Sequence, residues 1–442
     1  MRLEFLLFLK NGIQMQQNKI GIAKFLIYVR IGMHVLWKYR KHLSIKFITA
    51  AVRLLAAFSD NKVVKLANGT YKLHIYLPAY PTRAFFKAIE DKLIFKPPKP
   101  VTVVLSVTKA CPYRCKHCYQ RFDKNEDMSS EKVLETVKKL SEAGVSFLNI
   151  EGGDAFLKFN LLCKIMDSLD DSMEVWINTT GTNITKKKLA VLKEKGVCGI
   201  MVSVHGSSAE FHDDFVGVKG AFELAKKTLV LCKEVGLGSA INTVLTYEQI
   251  QENVLDEIML LAKNCNCDFV QLIHPKRAGE WLKNETLNEK DTEIRRYVSK
   301  AHKHYNALQD FSALPAQAQE EHEDKFGCTC GGIDRFYVGA NGEVQPCEFL
   351  NISFGNVNEE PFEIIFARMR EAFKVPCIEW MCEVKASEIY EFMQKHSIEK
   401  TPIPYEYTKE LVKNWNQRDV GSSIPRAYFG IYQRDTGPGD FL

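Results

Sequence analysis

The chain has 442 residues, 46% of them hydrophobic and 26% charged, with unremarkable counts of 26 glycines and 15 prolines. That is enough for about two or three domains, and it excludes collagen-like and wholly disordered classes. The net charge of +5 hides a split: residues 1–100 hold 18 Lys and Arg against 4 Asp and Glu, a balance of +14, which leaves −9 for the remaining 342. A basic head on an acidic body suits a head that meets anionic surfaces and a body that does not.

Thirteen cysteines, an odd number in a chain rich in Lys and Glu, argue against a secreted disulfide framework. The start does not read as a secretory signal. Glu4 interrupts it, the apolar run Phe5–Leu9 is short, and no small-residue cleavage site follows. The expected location is cytoplasmic, peripheral to the inner face of the membrane, where thiols are free to act as ligands.

Residues 1–60 read as basic apolar helices. Ile20–Trp37 is punctured by Lys24, Arg30 and His34, and Ile45–Phe58 by Lys46 and Arg53. Neither reaches the roughly 18 uninterrupted apolar residues of a membrane span. In the second, Ile45, Ile48, Val52 and Leu55 fall at helical spacing, with Lys46, Thr49 and Arg53 on another face. This pattern suits a helix lying in the membrane interface, with peripheral contact through residues 1–59. It suits equally a helical hairpin packed on the body. Nucleic acid is not expected, because the cations are spread through apolar helices.

Residues 61–100 read as a hairpin, a helix and a linker. Val63–Leu66 and Tyr71–Tyr76 flank Asn68-Gly69, a hairpin signal. Thr82–Leu93 reads as a helix, and Lys96–Pro100 as a Pro-rich linker and domain boundary. Six strand candidates alternate with helices from there on: Val101–Val107, Phe147–Ile150, Met173–Asn178, Gly199–Val204, Ser239–Leu245 and Phe269–Ile273. The fold class is α/β, a partial (β/α)6 TIM-like barrel over residues 101–283, with chemistry expected at the strand C-terminal ends.

The first strand is followed by Cys111, Cys115 and Cys118, a C-x3-C-x2-C array. Zinc sites usually pair C-x2-C elements, and no partner pair lies nearby. A [4Fe–4S] cluster normally takes four cysteines, so three leave one iron open for another ligand.

An array of this spacing after the first strand of a βα repeat resembles the radical S-adenosylmethionine (SAM) superfamily over about Val101–Ile273. The resemblance implies a [4Fe–4S] cluster on Cys111, Cys115 and Cys118. It also implies SAM on the open iron, reductive cleavage to a 5′-deoxyadenosyl radical, and a reductant such as flavodoxin or ferredoxin. It implies that Gly152, Gly153 and Asp154, where the family has Gly-Gly-Glu-Pro, hold the SAM methionine. His117 and Tyr119 would lie by its adenine. Asn178, Thr180, Ser203, Asn242 and His274, each at or near a later strand end, would complete the cofactor site. His205 stands where the family has Asp.

Residues 284–325 read as a helical connector, 326–385 as a small α+β domain, and 386–442 as C-terminal helices and a tail. Cys328, Cys330, Cys347, Cys377 and Cys382 fall in the second of these, around an Asn341-Gly342 hairpin. The region resembles the SPASM/twitch extension of radical SAM enzymes. A full SPASM set needs about seven cysteines, so the resemblance implies one auxiliary [4Fe–4S] cluster. Cys330 and Cys347 are its firmest ligands, and two of the other three complete it. A zinc site on the same thiols is the alternative. Cys163, Cys198 and Cys232 read as small buried apolar residues, and Cys265 and Cys267, before the sixth strand, as structural.

The expected function is hydrogen abstraction from a substrate of hydrophobic or membrane-resident character. A peptide (RiPP) maturase is the alternative within the family, and a non-catalytic, membrane-associated metal or electron-transfer protein the alternative outside it.

Overall fold

The computed structural model describes residues 19–432, apart from 97, 122, 124–125, 288, 414 and 416–423. The apolar run at Phe5–Leu9, the first part of the head and the tail at Asp435–Gly439 lie outside the described residues, as does Pro97 within the linker.

The chain opens with α1 (Lys19–Lys38) and α2 (Ile45–Ala56). Ser44 caps α2 by accepting from the Phe47 N–H at 3.1 Å. Short strands β1 (Val64–Lys65) and β2 (Tyr71–Lys72) form the expected antiparallel hairpin, and α3 (Arg83–Leu93) follows. Thr82 caps α3 through the Phe85 N–H.

The six barrel strands are β3 (Thr102–Ser106), β4 (Phe147–Glu151), β5 (Glu174–Thr179), β6 (Gly199–Ser203), β7 (Gly238–Val244) and β8 (Phe269–Ile273). They pair in parallel in that order. Their near-continuous apolar runs follow from burial on both faces. Val103, Leu105, Leu148, Ile150, Ile177, Val202 and Val270 pack against the helices. Alternate residues, Phe147, Trp176, Met201, Ala240 and Phe269 among them, fill the barrel interior.

The sheet has eight strands rather than six. β9 (Arg335–Val338) pairs in parallel with β3, Thr102 opposite Arg335, and β10 (Val344–Gln345) pairs antiparallel with β9. The hairpin of the auxiliary region is therefore a continuation of the barrel sheet. At the other edge, Ala313 and Ala316 bridge β8.

Residues 61–93 close the N-terminal end of the barrel. Leu66, Ile75, Ala79 and Ala88 pack onto Phe147, Trp176 and Phe269. Lys72 is wholly buried there, its ammonium 2.6 Å from Glu174. The same carboxylate accepts from the Ala79 N–H at 2.6 Å and the Trp176 indole at 2.9 Å. The boundary expected at Lys96–Pro100 thus does not divide the chain into separate bodies. The chain before it plugs the barrel that comes after it.

The head helices pack on the body by one face. Tyr28, Ile31 and Val35 of α1 and Phe47, Ala50, Ala51 and Leu54 of α2 join one core with Phe85, Phe86, Ala427 and Tyr428. The apolar face read for α2 is not the one that meets the body. Ile45 is exposed, while Ile48 and Leu55 only flank the core. The small Ala50 and Ala51 let the helix approach the returning C-terminal segment, which outweighs the larger side chains on the neighbouring face. No helix of the described residues is long and apolar enough to cross a membrane.

The plug gives the first prediction. Lys72→Met leaves the Glu174 carboxylate buried without its cation and should cost about 3–5 kcal/mol, read as a lower urea midpoint. Lys72→Met with Glu174→Gln should recover much of that loss; a double variant as unstable as the single would show that the ion pair is not the cause.

Candidate active site

The cysteine loop leaves β3 and is clamped from several sides. Arg114 and Lys116 donate from their backbone to Val216 and Phe215 at 2.9 and 3.1 Å. Thr108 and Lys109 both donate to Asp127. The Gly153 and Asp154 N–H groups donate to the carbonyls of Thr108 and Ala110 at 2.7 and 2.8 Å. A Cβ on Gly153 would lie 2.2 Å from the Ala110 carbonyl, so only glycine lets the β4 end seat this loop. Gly279, at φ +51°, is as tight, its Cβ position 2.3 Å from Tyr119 Cα. The Glu280 N–H beside it donates to the Cys118 carbonyl.

Cys111 is exposed and Cys115 and Cys118 half-buried. Burial pushes the Cys115 thiol up to about 12 and raises that of Cys118, while the more exposed Cys111 is raised in the same direction by partial desolvation and the nearby charges of Asp154 and Cys118. Three such thiols lose their protons together only to a cation. A loop held rigidly on both flanks and carrying three cysteines fits an iron–sulfur cluster.

Around the loop, the sequence-predicted residues divide. His117 packs its ring on His205, Phe215 and Trp281, at centroid distances of 4.4, 5.1 and 5.6 Å. Burial pushes its pKa down to about 4, so the ring stays neutral and suits a flat base. Ser203 and Asn242 are direct partners in register at the barrel mouth. The Asn242 and Asn178 side-chain oxygens find no hydrogen-bond partner among the described residues. These atoms are available to a cofactor.

Asp154, Thr180 and His274 are committed elsewhere. Asp154 accepts from the Phe156 N–H (2.9 Å), the Thr179 hydroxyl (3.1 Å) and the Thr180 N–H and hydroxyl (3.1 and 2.5 Å). It is 1% exposed, so it ties two strand ends together instead of reaching a ligand. His274 lies 2.6 Å from Asp291 and 3.7 Å from Glu383, and Arg295 pairs with both carboxylates. This buried network fastens β8 to the auxiliary region at Cys382-Glu383. Gly152 also serves the loop, because a Cβ there would meet the Thr108 carbonyl at 2.4 Å.

Glu151 is the residue that strand-end motifs miss. It ends β4 on the inward face shared with Phe147 and Asn149, so the period-two signal that could have found it is present in the sequence. Its carboxyl accepts from the Tyr119 hydroxyl and, at 3.3 Å, from the Asn178 amide. Burial pushes its pKa up to about 8 against those hydrogen bonds.

The five later cysteines converge. Cys328 and Cys377 exchange two backbone hydrogen bonds at 2.7 and 3.0 Å. The sulfurs of Cys328 and Cys330 are 3.5 Å apart. Cys347 follows β10 and donates its thiol to Glu348 at 3.1 Å. Burial raises the Cys347 thiol, and the charges of Glu348 and Cys382 raise it further. Arg335, paired with Glu321 at 2.8 Å, faces Cys347 and Cys328 and acts in the opposite sense on the Cys347 thiol. A buried guanidinium beside buried thiolates suits an anionic cluster. All thirteen cysteines are free of disulfides. Cys232 is buried in the barrel core, as are Cys265 and Cys267, whereas Cys163 and Cys198, read as buried, are only half-buried.

Comparison with known proteins fits this geometry. Residues 105–261 match the radical SAM superfamily profile, and residues 328–383 match the SPASM profile, an iron–sulfur cluster-binding domain. The chain carries both domains. Its barrel is a radical SAM domain, which implies a [4Fe–4S] cluster and SAM, and its C-terminal region is a SPASM domain, which implies auxiliary iron–sulfur binding. The chain is 26% identical over 62% of its length to an AdoMet-dependent heme synthase of Oleidesulfovibrio alaskensis, covering 75% of that protein. It is 25% identical over 62% of its length to an Fe-coproporphyrin III synthase of Methanosarcina barkeri, covering 75% of it. It is also 25% identical over 59% of its length to a sporulation killing factor maturation protein of Bacillus subtilis, covering 63% of it. Like these relatives, this radical SAM protein is an enzyme.

Three substitutions test the loop geometry, the third as a control. Gly153→Ala should leave the chain folded by circular dichroism yet cut iron incorporation at the barrel site at least tenfold. Cys111→Ala should do the same, whereas Cys347→Ala should retain about four irons per chain. Wild-type iron content in Gly153→Ala would overturn the role given to the clamp.

Proposed function

We propose that this radical SAM enzyme abstracts hydrogen from an apolar substrate that it meets at a membrane surface. One observation carries the membrane reading. The face of α1 turned from the body is an apolar stripe, Ile22, Leu26, Met33 and Trp37, exposed by 54, 59, 61 and 66%. Ile45 continues it at 69%. Exposed Lys38, Arg40, Lys41 and Lys46 gather at one end of the stripe, with the Arg40 guanidinium 5.4 Å from the Trp37 ring. Aromatic and apolar side chains beside a basic collar suit an anionic lipid interface.

When bound, the cluster and SAM supply a carbon radical made with one electron from a reductant of the flavodoxin or ferredoxin kind. The chain's own role is to place them. Gly152 and Gly153 hold the cysteine loop to β4, His117 offers its ring to the adenine, and Asn178, Ser203 and Asn242 offer polar atoms at the barrel mouth. Tyr119 contributes backbone beside the third cysteine and a hydroxyl to Glu151. The five SPASM cysteines provide ligands for one auxiliary cluster, which anchors substrate or relays electrons.

A peptide maturase is the second reading. It is favoured by the similarity to the killing-factor maturation protein and to a PqqA peptide cyclase of Bradyrhizobium diazoefficiens. The head weighs against it, since its two-residue strands and basic helices are a poor match to a winged-helix peptide-binding domain.

Anaerobically reconstituted chain, reduced with dithionite, should convert SAM to 5′-deoxyadenosine and methionine. SAM left intact would defeat the enzymatic reading. The chain should also sediment with phosphatidylglycerol vesicles and not with phosphatidylcholine alone, less so at high salt. Leu26→Glu with Trp37→Glu should weaken this at least tenfold. Equal sedimentation of wild type and variant, or none by either, would remove the membrane and leave the peptide reading ahead.

A further inference from the structure

A cavity of about 130 Å³ lies where the head, the barrel edge and the SPASM region meet. Leu54, Leu55 and Phe58, at and just beyond the end of α2, line it on the side of the head. Its walls include Tyr76, Leu77, Ile89 and Val104, and its inner end Gln271, Ile273 and Phe349. The Phe349 ring lies 5.6 Å from that of Tyr119, the neighbour of Cys118. Glu348 and Thr329 also line it, one bonded to Cys347 and the other set between Cys328 and Cys330. The cavity therefore leads from beneath the exposed head toward the ground between the two cysteine sets.

Its charged groups are occupied with one another. Glu320 is 2.7 Å from His74 and accepts from Asn61 at 2.8 Å. Glu321 pairs with Arg335, and Lys92 with Asp334. An ion of either sign entering here would have to break one of these buried pairs. Two polar atoms on the wall are different. Gln271 Oε1, on a side chain 4% exposed, and Arg335 Nε find no hydrogen-bond partner among the described residues. A buried polar atom left without a partner is costly, and an incoming ligand can relieve that cost. One needs a donor and the other an acceptor, and a single hydroxyl serves either.

We infer that this cavity binds the hydroxylated end of an uncharged apolar chain, an alcohol whose carbon chain runs along the apolar wall beside α2. The volume is near that of a cavity which takes one benzene, so the site holds the end of such a chain and not a whole macrocycle. This inference rests on the apolar-substrate reading above and makes it specific.

The test uses full-length, reconstituted enzyme and geraniol, a ten-carbon isoprenoid alcohol, with myrcene as its hydrocarbon counterpart. Calorimetric titration should show one saturable equivalent of geraniol, bound at least tenfold more tightly than myrcene. Gln271→Leu, similar in volume, should abolish that preference while keeping hydrocarbon binding. Leu55→Trp, at a half-buried position on the rim, should weaken both ligands at least tenfold, with an unchanged melting temperature showing that the fold survives. Non-saturable uptake by the wild type, or a geraniol preference that survives in Gln271→Leu, would overturn the assignment. SAM cleavage is measured on the same preparation. Cleavage without geraniol binding defeats the cavity alone, whereas absent cleavage defeats the enzymatic reading on which it rests.

Discussion

The pairing of β9 with β3 is the constraint on which the rest of the arrangement depends. β3 runs directly into the loop of Cys111, Cys115 and Cys118. β9 is entered from Cys328 and Cys330, and the hairpin it starts ends at Cys347. Four register pairs, from Thr102 with Arg335 to Leu105 with Val338, fix the two cysteine regions relative to one another. The Asp334 carbonyl extends the ladder by accepting from both Val101 and Thr102, and the Met128 N–H reaches across to Ala340 at 2.6 Å. A one-residue slip would turn Arg335 away from the SPASM thiols and invert every neighbour. Electrostatics then follow from geometry, since Arg335 stands between the cavity and the thiols because it is the first residue of that strand.

Much of this was legible in the sequence, for physical reasons that differ by element. The six barrel strands declare themselves because strands buried on both faces are apolar throughout and are spaced by helices. The cysteine loop declares itself because three thiols so close in the chain are costly without a cation. The β9–β3 pairing does not, because a short strand carries no mark of a partner that lies a whole barrel earlier in the chain. The parity of Glu151 was readable, but its contact with Tyr119 needed the loop's path. Asp154 and Thr180 show the limit of strand-end reasoning. A carboxylate after two glycines has the position of a ligand contact, yet here its local donors leave it nothing to offer. His274 is similar: the end of β8 is the right place, but Asp291, at the start of a later helix and in no motif, takes the ring.

The glycines after β4 also acquire a different emphasis. Their smallness is required by the loop, whose carbonyls lie where side chains would otherwise be. Whatever they offer a cofactor, they first bring the second strand end against the first. The cofactor site is thus built by backbone contact between successive strand ends, with Gly279 doing the same from the sixth.

The charge split in the sequence resolves into two uses of the same cations. Lys72 and Lys92 are buried against Glu174 and Asp334 of the acidic body. Lys62 and Lys87 donate to carbonyls at Leu308, Phe311, Ser141 and Val145, and Lys24 to Ser59. These cations bind the head to its own protein and are committed there. Lys38, Arg40, Lys41 and Lys46 remain exposed around the turn between α1 and α2, next to the apolar stripe. The packed hairpin accounts for one face of each helix, which meets the body, and leaves the exposed apolar side chains of α1 on the other. Salt should weaken only the second set, because the first is shielded from solvent.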